Sequence, residues 1–335
     1  MTALRKSVHK EIVCVVFGVL LLALGSPAQA QQAQKIPRIG FLLAPSRSAT
    51  AEPLDAFRQG LRELGYVNGQ NIVIEYRYAE GQFDQLPALA AELVRLKVDL
   101  IVAAGGIQAI RPAKNATSTI PIVMTGTTDP VASGLVASLA RPAGNVTGVT
   151  LGGPELYGKR LELLKEIVPR VSRVAVFLNP TSPAEPLLLK DMHASAQALG
   201  LRIQSFEVRR SNDLEGAFQA ATKWRARGLT VAGDPVFSAH RKQILDFAAN
   251  NRLPGIYPWR EYVEDGGLMS YSTKLSDLYR RAAVYVDKIL KGEKPGDLPV
   301  EQPTKFEFII NLKAAHQIGL TISPNILAGA DRVIK

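Results

Sequence analysis

The chain has 335 residues, of which 47% are hydrophobic and 21% charged, a balance that suits a globular protein and excludes a long disordered or low-complexity one. Its formal charge is +10. The basic residues stand as scattered pairs among acids (Arg209-Arg210, Arg241-Lys242, Arg280-Arg281), without a long basic run or interleaved aromatics, so solvated helix faces explain them better than a nucleic-acid surface.

The first thirty residues read as a secretory leader. Arg5, Lys6 and Lys10 precede an apolar run from Ile12 to Leu24, and Gly25-Ser26-Pro27-Ala28-Gln29-Ala30 offers a cut after Ala30. The run is short for a bilayer span. The only cysteine, Cys14, lies within it, so a mature chain starting at residue 31 has no disulfide, thiol nucleophile or cysteine-metal site. That mature chain carries +8, and no later segment is apolar for long enough to cross a membrane.

From residue 38 the pattern alternates strand and helix. Arg38 to Leu43 is a short apolar strand, and Leu54, Phe57, Leu61 and Leu64 mark one helical face that ends at Gly65. Strands follow at 72–76, 98–103 and 120–124, with helices between them. The sequence then starts again. Val174 to Leu178 matches the first strand, Leu199-Gly200 repeats Leu64-Gly65, and Leu253-Pro254-Gly255-Ile256-Tyr257 echoes Ile120-Pro121-Ile122-Val123-Met124. Near-continuous apolar strands separated by helices imply parallel sheets covered on both faces. The expected fold class is therefore α/β: two similar Rossmann-like lobes with parallel sheets, joined by a hinge.

Residues 144–150 and 266–271 are Gly/Thr- or Gly/Ser-rich extended stretches suited to crossing between lobes, and the helix from Leu275 to Leu290 is expected on the first lobe. The predicted division is leader 1–30, lobe one at 36–147 plus about 272–305, lobe two at 148–271, and a C-terminal segment 306–335 open to either lobe.

Signals for catalysis are scarce. His193, His240 and His316 stand far apart without metal-ligand spacing, and neither a Gly-x-Ser-x-Gly elbow nor a dinucleotide fingerprint occurs. Gly153-Pro154-Glu155-Leu156-Tyr157-Gly158-Lys159-Arg160 nearly matches a phosphate loop, but Arg160 replaces the hydroxyl residue and the apolar pattern continues a helix through it. No catalytic residue, cofactor or metal is expected.

Ligands of open parallel sheets bind beyond the carboxyl ends of the strands. Lobe one offers Ser46, Ser48, Gly105, Gly106, Thr127 and Asp129 there; lobe two offers Asn179, Asp234, Tyr257 and, at the second crossing, Tyr271. Asp129, Asn179 and Asp234 each precede proline, so each reads equally as a helix cap. Tyr257, Trp259 and Tyr271 can stack a planar ligand group or pack a core.

The same stretches resemble the ABC transporter substrate-binding protein family that includes tryptophan-binding importer components. The resemblance rests on Arg38-Ile39-Gly40-Phe41-Leu42, on Phe57 to Tyr66, and on Asp129 to Val136. It continues through Arg141 to Gly148, Gly266 to Tyr271, and Pro303 to Glu307 with Asn311-Leu312-Lys313. It covers nearly all of the mature chain. It implies the type I periplasmic-binding-protein fold, a small-molecule ligand between the lobes, closure on that ligand, and docking on an ABC permease in the inner membrane. The resulting expectation is a monomeric periplasmic solute-binding protein, not an enzyme, with no nucleic-acid partner and an amino-acid-like or aromatic ligand favoured. A ligand sensor for a membrane receptor is the alternative on the same fold, and a periplasmic enzyme on a two-lobed scaffold would need a catalytic constellation in the cleft.

Overall fold

In the computed structural model, residues 35–153, 155–181 and 185–335 are described. The expected leader lies outside them. The first half contains β1 (Arg38–Leu43), α1 (Arg47–Glu63), β2 (Val73–Tyr78), α2 (Leu86–Arg95), β3 (Leu100–Ala104), α3 (Ile107–Ala116), β4 (Ile122–Thr127) and β5 (Val146–Thr150). Their strands form a five-stranded parallel sheet in the order β2-β1-β3-β4-β5.

The second half begins with α4 (Glu155–Ile167), β6 (Arg173–Leu178), α5 (Glu185–Ala198), β7 (Arg202–Glu207), α6 (Leu214–Lys223) and β8 (Gly228–Val231). It continues with α7 (Pro235–Ala239), α8 (Arg241–Asn250), β9 (Gly255–Tyr257), α9 (Arg260–Glu264) and β10 (Met269–Thr273). The long α10 (Leu275–Leu290) follows, then β11 (Phe306–Asn311), α11 (Leu312–Gln317), α12 (Pro324–Ala328) and β12 (Arg332–Ile334). The second sheet runs β7-β6-β8-β9-β10-β11-β12. Its first five members repeat the order of the first sheet, which is the internal repeat of the sequence expressed as topology. The protein is thus a two-lobed α/β molecule of the type I fold.

The second sheet is not wholly parallel. β10 pairs antiparallel with β11, and β12 lies parallel to β11. This places the C-terminal segment in the second sheet.

The central strands β1, β3, β6 and β8 are buried on both faces, as their near-continuous apolar runs require. Phe41, Phe57 and Leu61 pack with Leu278, Tyr279, Ala282 and Val286 of α10 on one face of the first sheet. Leu42, Leu93, Ile110 and Met124 fill the other. A separate core around Phe177, Phe237, Leu245 and Ile256 holds the second sheet. The α10 helix lies directly against α1, where Gly60 lets Ala283 approach.

The stretches expected to cross between the lobes run into paired strands. Gly144 to Thr150 is not a free link: Val146–Thr150 is the fifth strand of the first sheet. Gly148 has φ +132°, and a Cβ there would lie 2.3 Å from the Met124 carbonyl oxygen, so its glycine serves close strand pairing. Likewise Met269–Thr273 is a strand of the second sheet. The chain leaves the first sheet after Thr150 and the second after Thr273, packs α10 on the first, and re-enters the second at Phe306. These segments lie side by side: Thr150 N donates to Glu301 O at 2.9 Å, Glu301 N to Gly148 O at 3.0 Å, and Thr273 Oγ1 to Leu151 O at 2.5 Å.

Candidate functional site

In both sheets the strand order reverses between a lobe's first and third strands, so the connections after β1 and β3, and after β6 and β8, leave in opposite directions and open a crevice. The candidate residues at these points converge within each lobe. Ser46 caps α1, accepting from Ala49 N at 3.4 Å, and its hydroxyl lies 3.1 Å from that of Ser48. The turn after β3 presses on this one. A Cβ on Gly105 would stand 2.7 Å from both Ala44 Cβ and Pro45 Cδ, and Gly105 and Gly106 have φ of +102° and +80°. Those angles favour glycine, and they bring the start of α3 beside Ser46. Gly126 lies against Gly106, which draws in the end of β4. Thr127 is buried and pairs in register with Thr150 at the first crossing.

Asp129 is spent on its own turn: Oδ1 accepts from Val131 N at 3.0 Å and Ala132 N at 2.8 Å. In the second lobe Asn179 and Asp234 meet, with Asn179 Nδ2 donating to Asp234 Oδ2 at 3.2 Å. Asn179 Oδ1 accepts from Thr181 N and Oγ1 in an Asx turn. Asp234 caps α7, taking Val236 N on Oδ1 at 2.8 Å. It is only 7% exposed. Burial pushes its carboxyl above the usual carboxylate range, and the bonds from Val236 and Asn179 partly oppose that.

Tyr257 and Tyr271 stand apart from this cluster. The Tyr257 ring stacks on Tyr262 in the core with centroids 5.0 Å apart, and burial raises its phenol. Tyr271 stacks on Phe306 at 5.5 Å on its own sheet. Trp259 does reach the cluster, its ring 3.3 Å from where a Gly233 Cβ would be.

Two residues beside the site carry no sequence signal beyond an ordinary helical face. Tyr157 Oη accepts from Gly233 N at 3.2 Å, binding α4 to the end of β8. One turn on, Arg160 is 3% exposed, its guanidinium 4.8 Å from the Tyr157 ring and its Nε donating to Tyr271 O at 2.9 Å. Burial lowers its pKa. Gly158 and Lys159 are interior to α4, so no phosphate loop forms.

The lobes also touch directly. Arg260, opening α9, forms a two-pronged pair with Glu52 of α1, Nη1 donating to Oε1 at 3.1 Å and Nη2 to Oε2. Beside it a narrow crevice of about 20 Å³ lies between the lobes, walled by Glu52, Trp259, Arg260 and the crossing at Ser272–Ser276. Among the described residues, no group of three or more His, Cys, Asp or Glu side chains is placed to hold a metal ion, and no helix is long and apolar enough to cross a membrane.

Two α/β lobes with matching strand order, three adjacent crossings and polar turns at both switch points are the architecture of a two-lobed binding protein. Residues 39–334 match the model of the ABC transporter substrate binding protein family, and the chain belongs to that family. It is 29% identical over 255 residues to a tyrosine-binding protein of Clostridioides difficile (strain R20291), covering 76% of this chain and 73% of that one. Among solved structures it resembles an ABC domain in complex with L-Trp from Streptococcus pneumonia (TM-score 0.83, 27% identity, 89% of this chain and 99% of that one). It also resembles the ligand-free, open structure of a substrate binding protein with adhesive properties from Clostridium difficile, at TM-score 0.71 and 25% identity over 90% of this chain and 99% of that one.

Proposed function

We propose that this protein is the exported solute-binding component of an ABC importer, capturing an amino acid with an aromatic side chain between its lobes and handing it to a membrane permease. The observation that carries this is the presence of polar turns at both switch points in a chain that matches the fold of an L-Trp complex at TM-score 0.83. The lobes would be 37–150 with 275–301, and 151–273 with 306–335. Ser46, Ser48, Gly105, Gly106 and Thr127 would line one wall of the site, and Asn179, Asp234 and Trp259 the other. The backbone N–H groups at the start of α3 suit a ligand carboxylate, and Asp234 suits an ammonium. Binding, not catalysis, is the activity.

Calorimetric titration with L-tyrosine, L-tryptophan, L-leucine and a polyol tests the ligand class. Tight binding of an aromatic amino acid, with the others weaker, is expected; preference for the polyol would overturn the reading. Intact mass of the exported protein tests the leader, with cleavage after Ala30 expected and a retained N-terminus contradicting export by this route.

A further inference from the structure

The arginines scattered through the second half of the sequence are gathered by the fold along one edge. We propose that the N-terminal edge of the second sheet, opposite the interlobe site, is a docking surface for an anionic phospholipid bilayer. This rests on the export reading above only in placing the protein beside a membrane.

The edge is built strand by strand. Arg173 and Arg202 begin β6 and β7 and are register partners. Arg227 N donates to Arg173 O at 2.8 Å, placing the segment before β8 on the other side of Arg173. Arg252 precedes β9, the next strand over. Neighbouring strands are ~4.8 Å apart, so the cations form a row instead of converging on a point.

Arg202, Arg225, Arg227 and Arg252 are exposed, and none of the ion pairs among the described residues uses them. Arg173 lies over the Trp224 ring at 6.0 Å, its buried Nε without a hydrogen-bond partner. At the matching edge of the first sheet Arg38 lies 3.9 Å from Glu75 and its backbone N–H donates to Asp99, which leaves Lys97, exposed at φ +53°, as a cation outside the ion pairs of the described residues.

Two of these cations are held at a conformational cost. Arg225 and Arg252 have φ of +58° and +50°, directly after helices α6 and α8, at positions where glycine is easier. The chain places arginine there, and at both places the charge faces outward.

A row of guanidiniums suits an array of phosphates, because each fork can take a phosphate on two N–H groups. Single-stranded nucleic acid would instead want exposed rings for stacking, and Trp224, the aromatic at this edge, is half-buried under Arg173. An anionic bilayer attracts each surface arginine enough to change binding about fivefold, so several together hold a protein near the membrane while leaving it free to detach.

The test is sedimentation with vesicles of phosphatidylcholine, with and without phosphatidylglycerol, reading the excess bound to the anionic vesicles. The edge variant is Arg202→Ser, Arg225→Gly, Arg252→Gly. A control of equal charge is Arg209→Ser, Arg210→Ser, Lys242→Ser, whose cations pair with Glu207, Asp213 and Asp246 beyond the other strand ends. Wild type should show excess binding that falls with salt, and the edge variant should lose about a hundredfold, at about fivefold per arginine. Its melting temperature should hold or rise, since glycine relieves the left-handed positions. The control should bind nearly as wild type does. No excess binding, an unchanged edge variant, or equal losses in edge and control variants would each overturn the proposal. Amino-acid titration of the same proteins reports on the interlobe site independently.

Discussion

Asp129 and Asp234 follow strands in the same way, yet their side chains end in different surroundings. Asp129 accepts two backbone N–H groups at the surface, so Asp129→Ala should cost about 1 kcal/mol of stability and leave ligand affinity unchanged. Asp234 is buried beside Asn179, and Asn keeps an acceptor for Val236 N. Asp234→Asn keeps the cap but sets a second amide donor against Asn179 Nδ2, so it should cost about 1 kcal/mol of stability, yet lose about 2 kcal/mol or more of affinity for an amino-acid ligand with its ammonium on this carboxylate. Calorimetry with melting curves separates the two effects. The pH dependence has a definite sign. Burial raises the Asp234 pKa in the fold, so the folded state holds the proton more tightly, and this group's contribution to stability falls as pH rises from the unfolded value through the raised one. Ammonium binding needs the ionised form, so affinity should weaken on acidification through the same window; affinity constant with pH would count against the contact. Gly105→Ala, forced to φ +102° with Ala44 and Pro45 at 2.7 Å, should cost about 1–3 kcal/mol, measured by denaturant melts. Residues of this kind were legible in the sequence because an Asx-Pro step or a glycine pair after an apolar strand is local chemistry. Tyr157 and Arg160 were not, since their place beside Gly233 and Tyr271 depends on how α4 packs on distant strands.

Among elements, the contact of α9 with α1 bears most directly on closure. The Arg260–Glu52 pair joins residues 208 apart and is one-third to one-half exposed, so its contribution is screened. Arg260→Ala and Glu52→Gln should each weaken ligand binding by about 0.5–1 kcal/mol, and together by no more than either alone, because one contact is lost in each case. Titrations at low and high salt check this: the gap between wild type and variants should narrow as salt rises. Additive losses would mean that the pair does not act as a unit. The repeated strand order was legible from the two similar runs of apolar segments. The crossings were not, because a Gly/Thr-rich extended stretch reads the same whether it pairs as an edge strand, as Val146–Thr150 does, or hangs free. The antiparallel pairing of β10 with β11 was also hidden, since Phe306–Asn311 carries an ordinary strand pattern with nothing local to mark its direction.

For the whole molecule, three adjacent crossings confine the lobes to opening and closing about one region. A confirmed ligand should reduce the radius of gyration in small-angle scattering. At a hundredfold excess over Kd it should also stabilise the protein by about 2.7 kcal/mol. Ligand binding with no change in radius would exclude closure as its consequence. The position of α10 has a further effect, on the order of folding. Its Leu278, Tyr279, Ala282 and Val286 complete the core that Phe41, Phe57 and Leu61 begin more than two hundred residues earlier. The first lobe to leave the ribosome is therefore the one that cannot finish folding until residues 275–290 arrive, whereas most of the second lobe is continuous in sequence. Long-range closure of this kind is slow, and it leaves the nascent chain threadable until synthesis is nearly done. A full chain carrying Leu278→Ser and Val286→Ser, which loosens α10 from the first lobe and leaves β11 and β12 in the second sheet, should bind a hydrophobic dye strongly through the bared face of the first, while wild type binds little.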